Sequence, residues 1–295
     1  IEEIERMNQE LRKDAKQIID EAIASVQPDA AVRRALSNIV FSEHVYIVAI
    51  GKAGWQMANA AVSYLQENGI KYEKGIVITK YHHVMGQLPR IHCVEAGHPV
   101  PDENSFKGTQ EVLSMVKDLT EEDMVLFLVS GGGSALFEKP RISKKELSDI
   151  TEQLLASGAD IVEMNTIRKR LSEVKGGRFA LACMPAMVEA IVLSDIVGDP
   201  MDMIASGPAY PDASTCEDAG KIAIKYKLRL SAAAEKCLAD ETPKELHNVH
   251  TQIIGSVRQL CKAAYKACKE LGYKPRILAE DVTAEAREVG WDFAQ

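Results

Sequence analysis

The sequence is poor in the features that nucleic-acid-binding and membrane proteins require. Aromatic residues make up 5% of its 295 residues, and the formal net charge is −8. An acidic protein with few aromatic side chains lacks both the attraction to phosphate backbones and the surfaces on which bases stack. No apolar run approaches the roughly 18 residues that span a bilayer. We therefore expect no nucleic-acid partner and no membrane partner.

Cysteine is scarce and scattered. The six cysteines form no Cys-x-x-Cys pair, which argues against a zinc site and against a disulfide framework. Residues 1–6 are acidic and amphipathic, unlike a secretory signal peptide. These features predict a reducing, cytoplasmic setting.

Two nucleotide-binding signatures are also missing. No strand-like run is followed by Gly-x-Gly-x-x-Gly, the dinucleotide fingerprint. The segment 51–54 reads Gly-Lys-Ala-Gly, and it is not a Walker A motif because Ala53 follows Lys52. Any phosphate site must therefore be built differently.

Apolar runs alternate with helical patterns along the chain. The runs predicted as strands are 45–50, 75–79, 91–95, 124–129, 190–193, 249–254 and 276–279. Because parallel strands need helical crossovers, this alternation predicts an α/β fold with a mostly parallel sheet covered on both faces. Ligands of such folds bind beyond the carboxyl ends of the strands, so the turns at those ends are the candidate site.

A glycine-rich loop directly follows the apolar run 124–129. Its residues are Ser130, Gly131, Gly132, Gly133 and Ser134. Three glycines leave backbone N–H groups with no side chain in front of them, and the flanking serines add hydroxyl groups. The pattern predicts an anion-binding loop at the edge of the sheet, with a plain flexible turn as the alternative.

Two further turns carry charged or titratable side chains. Lys52 follows the run 45–50 and could neutralise a phosphate or a carboxylate, with a surface lysine as the alternative. His98 lies in the proline-containing turn 97–103 and could contact substrate. That turn could equally be a rigid connection ending in a capping Asp102.

Two more segments complete the set. Asn165, Arg168 and Ser172 fall on one face of a predicted helix, which a charged turn with Lys175 and Gly176 follows. A solvated charged helix is the alternative. Asp195 and Asp199 follow the run 190–193, and this spacing suits a partly hydrated Mg²⁺, with ordinary turn chemistry as the alternative.

Together these segments resemble the glycerate 2-kinase family, whose C-terminal part is called the MOFRL domain. The resemblance runs from the first strand to residues 285–288. It rests on Gly51-Lys52-Ala53, the turn 97–102, the loop 130–136, Asn165 with Arg168-Lys169, Lys175-Gly176-Gly177, Ser194-Asp195, Gly198-Asp199, Ala205-Ser206-Gly207-Pro208 and Asp212.

The resemblance implies an activity and an architecture. The activity is ATP-dependent phosphorylation of D-glycerate at its 2-hydroxyl, giving 2-phosphoglycerate, with Mg²⁺. The architecture is a Rossmann-like, three-layer αβα domain with a second, smaller α/β domain. We expect the first domain over residues 1–240, and the remaining β/α elements over 241–295 to lead into a truncated second domain.

The resemblance also suggests roles for individual residues. We expect Lys52 and Asp195 to be catalytic and Asp195 with Asp199 to hold the metal. Residues expected to bind ATP are Ser130, Gly131, Gly132, Gly133, Ser134, Lys175 and Gly176. Residues expected to bind D-glycerate are His98, Asn165, Arg168 and Ser206.

Three points stay open. Family members are longer and carry a Gly-Gly-Arg-Asn-Gln-Glu segment that this sequence lacks, so we expect a fragment, a half-site completed by a partner chain, or an inactive chain. A hydroxypyruvate reductase, a label also used for the family, and a non-catalytic nucleotide- or anion-binding domain are the alternative functions. Whether a second copy of the chain is a partner, in a homo-oligomer, also stays open.

Overall fold

The computed structural model describes residues 2–194, 200–282 and 284–294. Its centre is one six-stranded sheet in the order β3-β2-β1-β4-β5-β6, in which all neighbouring strands run parallel. The strands are β1 (His44–Ile50), β2 (Lys74–Lys80), β3 (Ile91–Ala96), β4 (Asp123–Val129), β5 (Met187–Leu193) and β6 (Val249–Ile254). The predicted Rossmann-like α/β fold is confirmed.

Helices connect the strands and cover the sheet. They are α1 (Glu2–Val26), α2 (Pro28–Leu36), α3 (Gly54–Glu67), α4 (Glu103–Val116), α5 (Gly133–Leu136), α6 (Lys144–Ala156), α7 (Ile161–Arg170), α8 (Arg178–Cys183), α9 (Cys216–Lys225), α10 (Ala232–Leu238), α11 (Val257–Glu270) and α12 (Ala286–Ala294). Several begin where the sequence supplies a reciprocal cap: Asp102 caps α4, Asp160 caps α7 and Thr215 caps α9.

The sheet separates two apolar cores. Strand β4 is buried along its whole length, and its successive side chains point to opposite faces. Val125 and Phe127 pack on one face with residues of α4 and α8, whereas Leu126 and Leu128 pack on the other with α2 and α3. Burial on both faces is why this strand reads as a continuous apolar run rather than an alternating one.

A third core lies outside the sheet. It is formed by apolar residues of α6, α7, α9 and α10, including Leu154, Ile167, Ile222 and Leu238. This helical cluster carries α7, and through α7 it brings Asn165 and Arg168 towards the carboxyl edge of the sheet.

The strand order places a crevice at that edge. Successive connections from β1 lead outward to β2 and β3, whereas β4, β5 and β6 lie on the other side of β1. The loops after β1 and β4 therefore leave the sheet side by side and then diverge, which is the usual ligand position in such folds.

One predicted strand is wrong. Residues 276–279 pair with no described strand, and Ile277 and Leu278 are 42% and 66% exposed. The apolar run predicts burial, but a strand also needs a neighbour to take its backbone hydrogen bonds.

In the described part of the chain, no helix is both long enough and apolar enough to cross a membrane.

Candidate functional site

The loops after β1 and β4 are bound to each other by their own backbone. The amide of Lys52 donates to the carbonyl of Gly131 at 2.8 Å, and the amide of Ala53 donates to Oγ of Ser130 at 3.0 Å. The Ser130 hydroxyl in turn donates to the carbonyl of Ile50 at 3.1 Å. Two segments that are distant in sequence thus form one rigid floor at the crevice.

This contact requires a glycine at position 51. Its φ is +106°, and a methyl group placed there would lie 2.3 Å from Oγ of Ser130 and 2.4 Å from the Ser130 carbonyl oxygen. Both the conformation and the space exclude a side chain. Gly51 therefore sets how closely the two loops approach.

Three of the predicted site residues converge above this floor. A methyl group placed on Gly132 would lie 2.9 Å from Cδ2 of His98 and 3.2 Å from Cγ of Lys52. The Lys52 side chain is exposed, and its ammonium makes no hydrogen bond or ion pair with any described residue. Lys52, Gly132 and His98 therefore lie close together at the crevice, and the Lys52 ammonium extends towards solvent.

The glycine loop offers several unengaged donors. Within the described ranges, the amides of Gly131, Gly132, Gly133 and Ser134 donate to no protein acceptor. Gly132 is left-handed, with φ of +87°, which turns the chain sharply at this point. Consecutive amides around such a turn form a concave group of partial positive charge that suits an anion.

The two serine hydroxyls of the loop have other partners. The Ser130 proton is donated to the Ile50 carbonyl, and Ser134 shares a 2.9 Å hydrogen bond with Ser206. Ser206 donates its own proton to Oδ1 of Asn165 at 2.9 Å, so Ser134 must donate to Ser206. An anion in the loop would therefore meet backbone amides rather than these hydroxyls.

Ser206 is held in a constrained turn. Ala205, Ser206 and Gly207 have φ values of +53°, +62° and +62°, and such a conformation costs a non-glycine residue about 1–3 kcal/mol. The carbonyls of Ser206 and Gly207 accept the amides of Gly176 and Gly177 at 3.0 and 2.7 Å. These bonds fix the turn. They also occupy the Gly176 amide, which therefore does not point to a ligand.

Lys175 lies beneath the glycine loop instead of facing the crevice. It is fully buried, and its ammonium donates to the carbonyls of Ser134 and Phe137 at 2.9 and 3.0 Å and pairs with Glu138 at 2.9 Å. Burial lowers the pKa of Lys175, and the Glu138 carboxylate opposes that effect. All three ammonium donors are occupied, so this lysine supports the loop from behind. Arg168 adds a 3.3 Å hydrogen bond to the same Ser134 carbonyl.

A second buried charged cluster anchors α7. Lys169 pairs with Asp212 at 3.1 Å, and Thr242 donates to the same carboxylate at 2.8 Å. Burial by itself would raise the pKa of Asp212, but Lys169 and the hydrogen bonds of Thr242 and Ser214 lower it. The cluster joins α7 to the segments around residues 212 and 242.

The predicted metal ligands Asp195 and Asp199 lie outside the described residues. Within the described ranges, no group of three or more His, Cys, Asp or Glu side chains could hold a metal ion.

A comparison with protein families assigns most of the chain. The family model described as "Domain of unknown function (DUF4147)" matches residues 14–239. The residues that build the crevice, from Lys52 to Ser206, all fall within that match.

Known proteins resemble the chain over nearly its whole length. The D-glycerate 2-kinase of Thermotoga maritima is 48% identical over 282 residues, which is 95% of this chain and 67% of that protein. A putative hydroxypyruvate reductase of Agrobacterium vitis is 38% identical over 290 residues, which is 95% of this chain and 64% of that protein.

A crystal structure of glycerate kinase (EC 2.7.1.31) from Thermotoga maritima superimposes with a TM-score of 0.93 at 47% identity. The match covers 97% of this chain and 69% of that structure. This chain thus spans about two thirds of the length of each of these proteins. The family match and the Thermotoga relatives together show that this chain belongs to the glycerate 2-kinase family.

Proposed function

We propose that this chain carries the ATP-binding and phosphoryl-transfer machinery of a D-glycerate 2-kinase. The reaction moves the terminal phosphoryl group of ATP to the 2-hydroxyl of D-glycerate and yields 2-phosphoglycerate and ADP. The observation that carries the proposal is the convergence of Lys52, His98 and the glycine loop at the β1/β4 crevice, where the Lys52 ammonium and the loop amides have no partner among the described residues.

The proposed roles follow from the chemistry of phosphoryl transfer. Such transfer needs positioning and charge stabilisation more than covalent help from the protein. The amides of residues 131–134 would bind phosphate oxygens of ATP, and Lys52 would stabilise charge on the transferred group. Lys175 and Gly176 would act indirectly, by holding the loop and the Ser206 turn in place.

The acceptor would lie between the loop and α7. Arg168 and His98 would contact the carboxylate or hydroxyls of D-glycerate, and the Ser206–Asn165 pair would border its site. Mg²⁺, held by Asp195 and Asp199, would neutralise charge on the phosphates when bound. We also propose a cytoplasmic location, which the six free cysteines support.

The domain division is proposed on the same basis. Residues 1–240 would form most of the Rossmann-like domain. Residues 241–295 begin with the last strand of its sheet, β6 at 249–254, and would then lead towards the second domain that the family resemblance implies.

The test is a coupled assay with ATP, Mg²⁺ and D-glycerate. Enolase consumes 2-phosphoglycerate but not the 3-phosphate isomer, so coupling to enolase reports the position of transfer as well as the turnover. We expect ADP release that depends on D-glycerate and Mg²⁺ and a product that enolase consumes. ADP release without an enolase signal would contradict transfer to the 2-hydroxyl.

A hydroxypyruvate reductase is the second candidate, because the strand order suits a dinucleotide and the Agrobacterium relative bears that name. Oxidation of a reduced nicotinamide by hydroxypyruvate would support it. ATP binding without turnover would instead favour the non-catalytic alternative.

A further inference from the structure

The main chain of Lys52 is held by a histidine that no motif indicates. Nδ1 of His83 lies 2.8 Å from the carbonyl oxygen of Lys52. The hydroxyl of Thr79 lies 3.4 Å from the same oxygen but is closer, at 2.9 Å, to the carbonyl of Gly51. The short hydrogen bond to the Lys52 carbonyl therefore comes from His83.

His83 is itself fixed from behind. The amides of His83 and Val84 both donate to Oε1 of Glu95, each at 3.0 Å. Further along the same loop, Nε1 of Trp55 donates to the carbonyl of Gly86 at 3.0 Å. The segment 81–90 after β2 is thus tied both to β3 and to α3, and it presents the imidazole to the Lys52 backbone.

The chemistry of this contact fixes the proton on His83. A carbonyl oxygen only accepts, so Nδ1 must carry a hydrogen. That hydrogen is present in the imidazolium and in one neutral tautomer alike. The hydrogen bond to Lys52 can therefore persist whether His83 is charged or neutral.

The main chain of Lys52 is consequently held from two sides, an arrangement that we call the clamp. Its amide donates to Gly131 of the glycine loop and its carbonyl accepts from His83 of the loop after β2. A side chain as long as lysine reaches a defined point only when its main chain is fixed. Displacement of a reacting group by about 1 Å can cost on the order of 10²-fold in rate.

We propose that His83 is a positioning residue for Lys52, which it holds so that the Lys52 ammonium addresses the transferred phosphoryl group. The role in turnover rests on the proposed kinase function, whereas the clamp itself does not. Glu95 supports the same role by holding the amides of the His83 loop.

The first test compares two substitutions of His83. His83→Leu removes the donor, and His83→Asn keeps a donor at the place of Nδ1 but cannot act as a base. We expect His83→Leu to lower kcat about 10- to 100-fold with KM changed little, and His83→Asn to recover most of that loss. His92→Leu, at an exposed histidine on β3, is the matched control and should leave kcat unchanged.

Equal loss of kcat in His83→Asn and His83→Leu would overturn the proposal. The same loss accompanied by disappearance of one limb of the pH profile would identify His83 as a proton acceptor instead. These results separate a hydrogen-bond donor from a general base, because asparagine supplies only the first.

A double substitution tests whether His83 acts through Lys52. In the Lys52→Ala background, His83→Leu should cause no further loss of kcat, since residues that act as one unit are not additive. Additive losses would show that His83 acts independently of Lys52 and would contradict the proposal.

A substrate-free measurement keeps the clamp testable apart from kinase activity. Hydrogen exchange of the Lys52 and Ala53 amides should be faster in His83→Leu than in the unmodified chain or in His83→Asn. Unchanged exchange would overturn the clamp. Absence of glycerate phosphorylation by the unmodified chain would contradict the proposed function alone.

Discussion

Two lysines beside the glycine loop differ in their exposure and in their partners. Lys52 follows β1, is exposed, and has an ammonium with no partner among the described residues. Lys175 is fully buried, and its three donors are taken by Ser134, Phe137 and Glu138. A charge available to a ligand and a charge used by the fold look alike in a sequence. The difference between them is whether the surrounding structure already supplies acceptors.

The same difference separates two regions of the molecule. In the described part of the chain, the crevice floor has amides and a cation without partners, whereas the clusters around Lys175 and Asp212 have paired charges in buried surroundings. The first region is suited to bind an anion, and the second is suited to hold the first in shape. Substitutions in the two regions should therefore change different measurements.

The largest effect is expected where the buried pair is broken. Lys175→Met leaves Glu138 buried without its partner, and such changes destabilise proteins by about 3–5 kcal/mol. Denaturant unfolding should show that loss in the free energy of unfolding. The matched double variant Lys175→Met with Glu138→Leu removes both charges and should recover most of it. A single variant of unchanged stability would contradict the structural role of Lys175.

Lys52→Ala should have the opposite signature. Removing a charged donor from a phosphoryl-transfer site costs on the order of 10²–10³-fold in kcat. Because the Lys52 side chain is exposed and its ammonium pairs with no residue of the described ranges, the free energy of unfolding should stay the same. The control is Lys74→Ala, which removes an exposed lysine from the start of β2, at the far edge of the sheet. Normal turnover by Lys52→Ala would remove the main basis for the proposed site.

Gly51→Ala should push the loops after β1 and β4 apart. The added methyl group meets Ser130 at 2.3 Å, and overpacking of this kind costs about 1–3 kcal/mol. We expect loss of both stability and turnover. Gly69→Ala is the matched control, since Gly69 also has a positive φ, of +67°, but has open space around it. A larger destabilisation by Gly69→Ala would show that conformation matters more than the contact.

The smallest effect concerns acid stability. Burial raises the pKa of Glu241, but hydrogen bonds from the Cys216 amide, Lys244 and Arg170 lower it to about 2 from an ordinary 4.5. The unfolded chain then binds more protons than the folded one, so the stabilisation is complete above about pH 4.5 and is lost as the pH falls towards 2. Glu241→Gln should reduce the fall in the free energy of unfolding between about pH 4.5 and pH 2, whereas Glu122→Gln, at an exposed position, should leave that fall unchanged. An equal fall in both variants would contradict the lowered pKa of Glu241.

Much of the fold and part of the site could be predicted from the sequence. The run 124–129 is apolar because β4 is buried on both faces, and the glycine loop follows it as expected. Lys52, His98 and Gly132 each follow a strand at the same sheet edge, and the structure brings them together. Their roles in binding, the division at residue 240 and the oligomeric state stay predictions.

Other features depend on tertiary contacts that leave no local pattern. Lys175 follows a charged helix, and only packing of Phe137 and Glu138 around it shows that it is buried. The sequence does not point to His83, because this residue lies in a turn with no motif. Its one signal is that a histidine pair, His82 and His83, comes one residue after the end of β2, at the edge where Lys52 also lies.

The most direct test follows the amide signals of the chain by NMR while ATP and Mg²⁺ are added. We expect the amides of residues 131–134 to shift most and Lys52→Ala to weaken the binding, while the amides around Asp212 stay unchanged. Shifts centred on the Lys169–Asp212 cluster, with the glycine loop unaffected, would show that Lys52 and the amides of the glycine loop do not form the phosphate site.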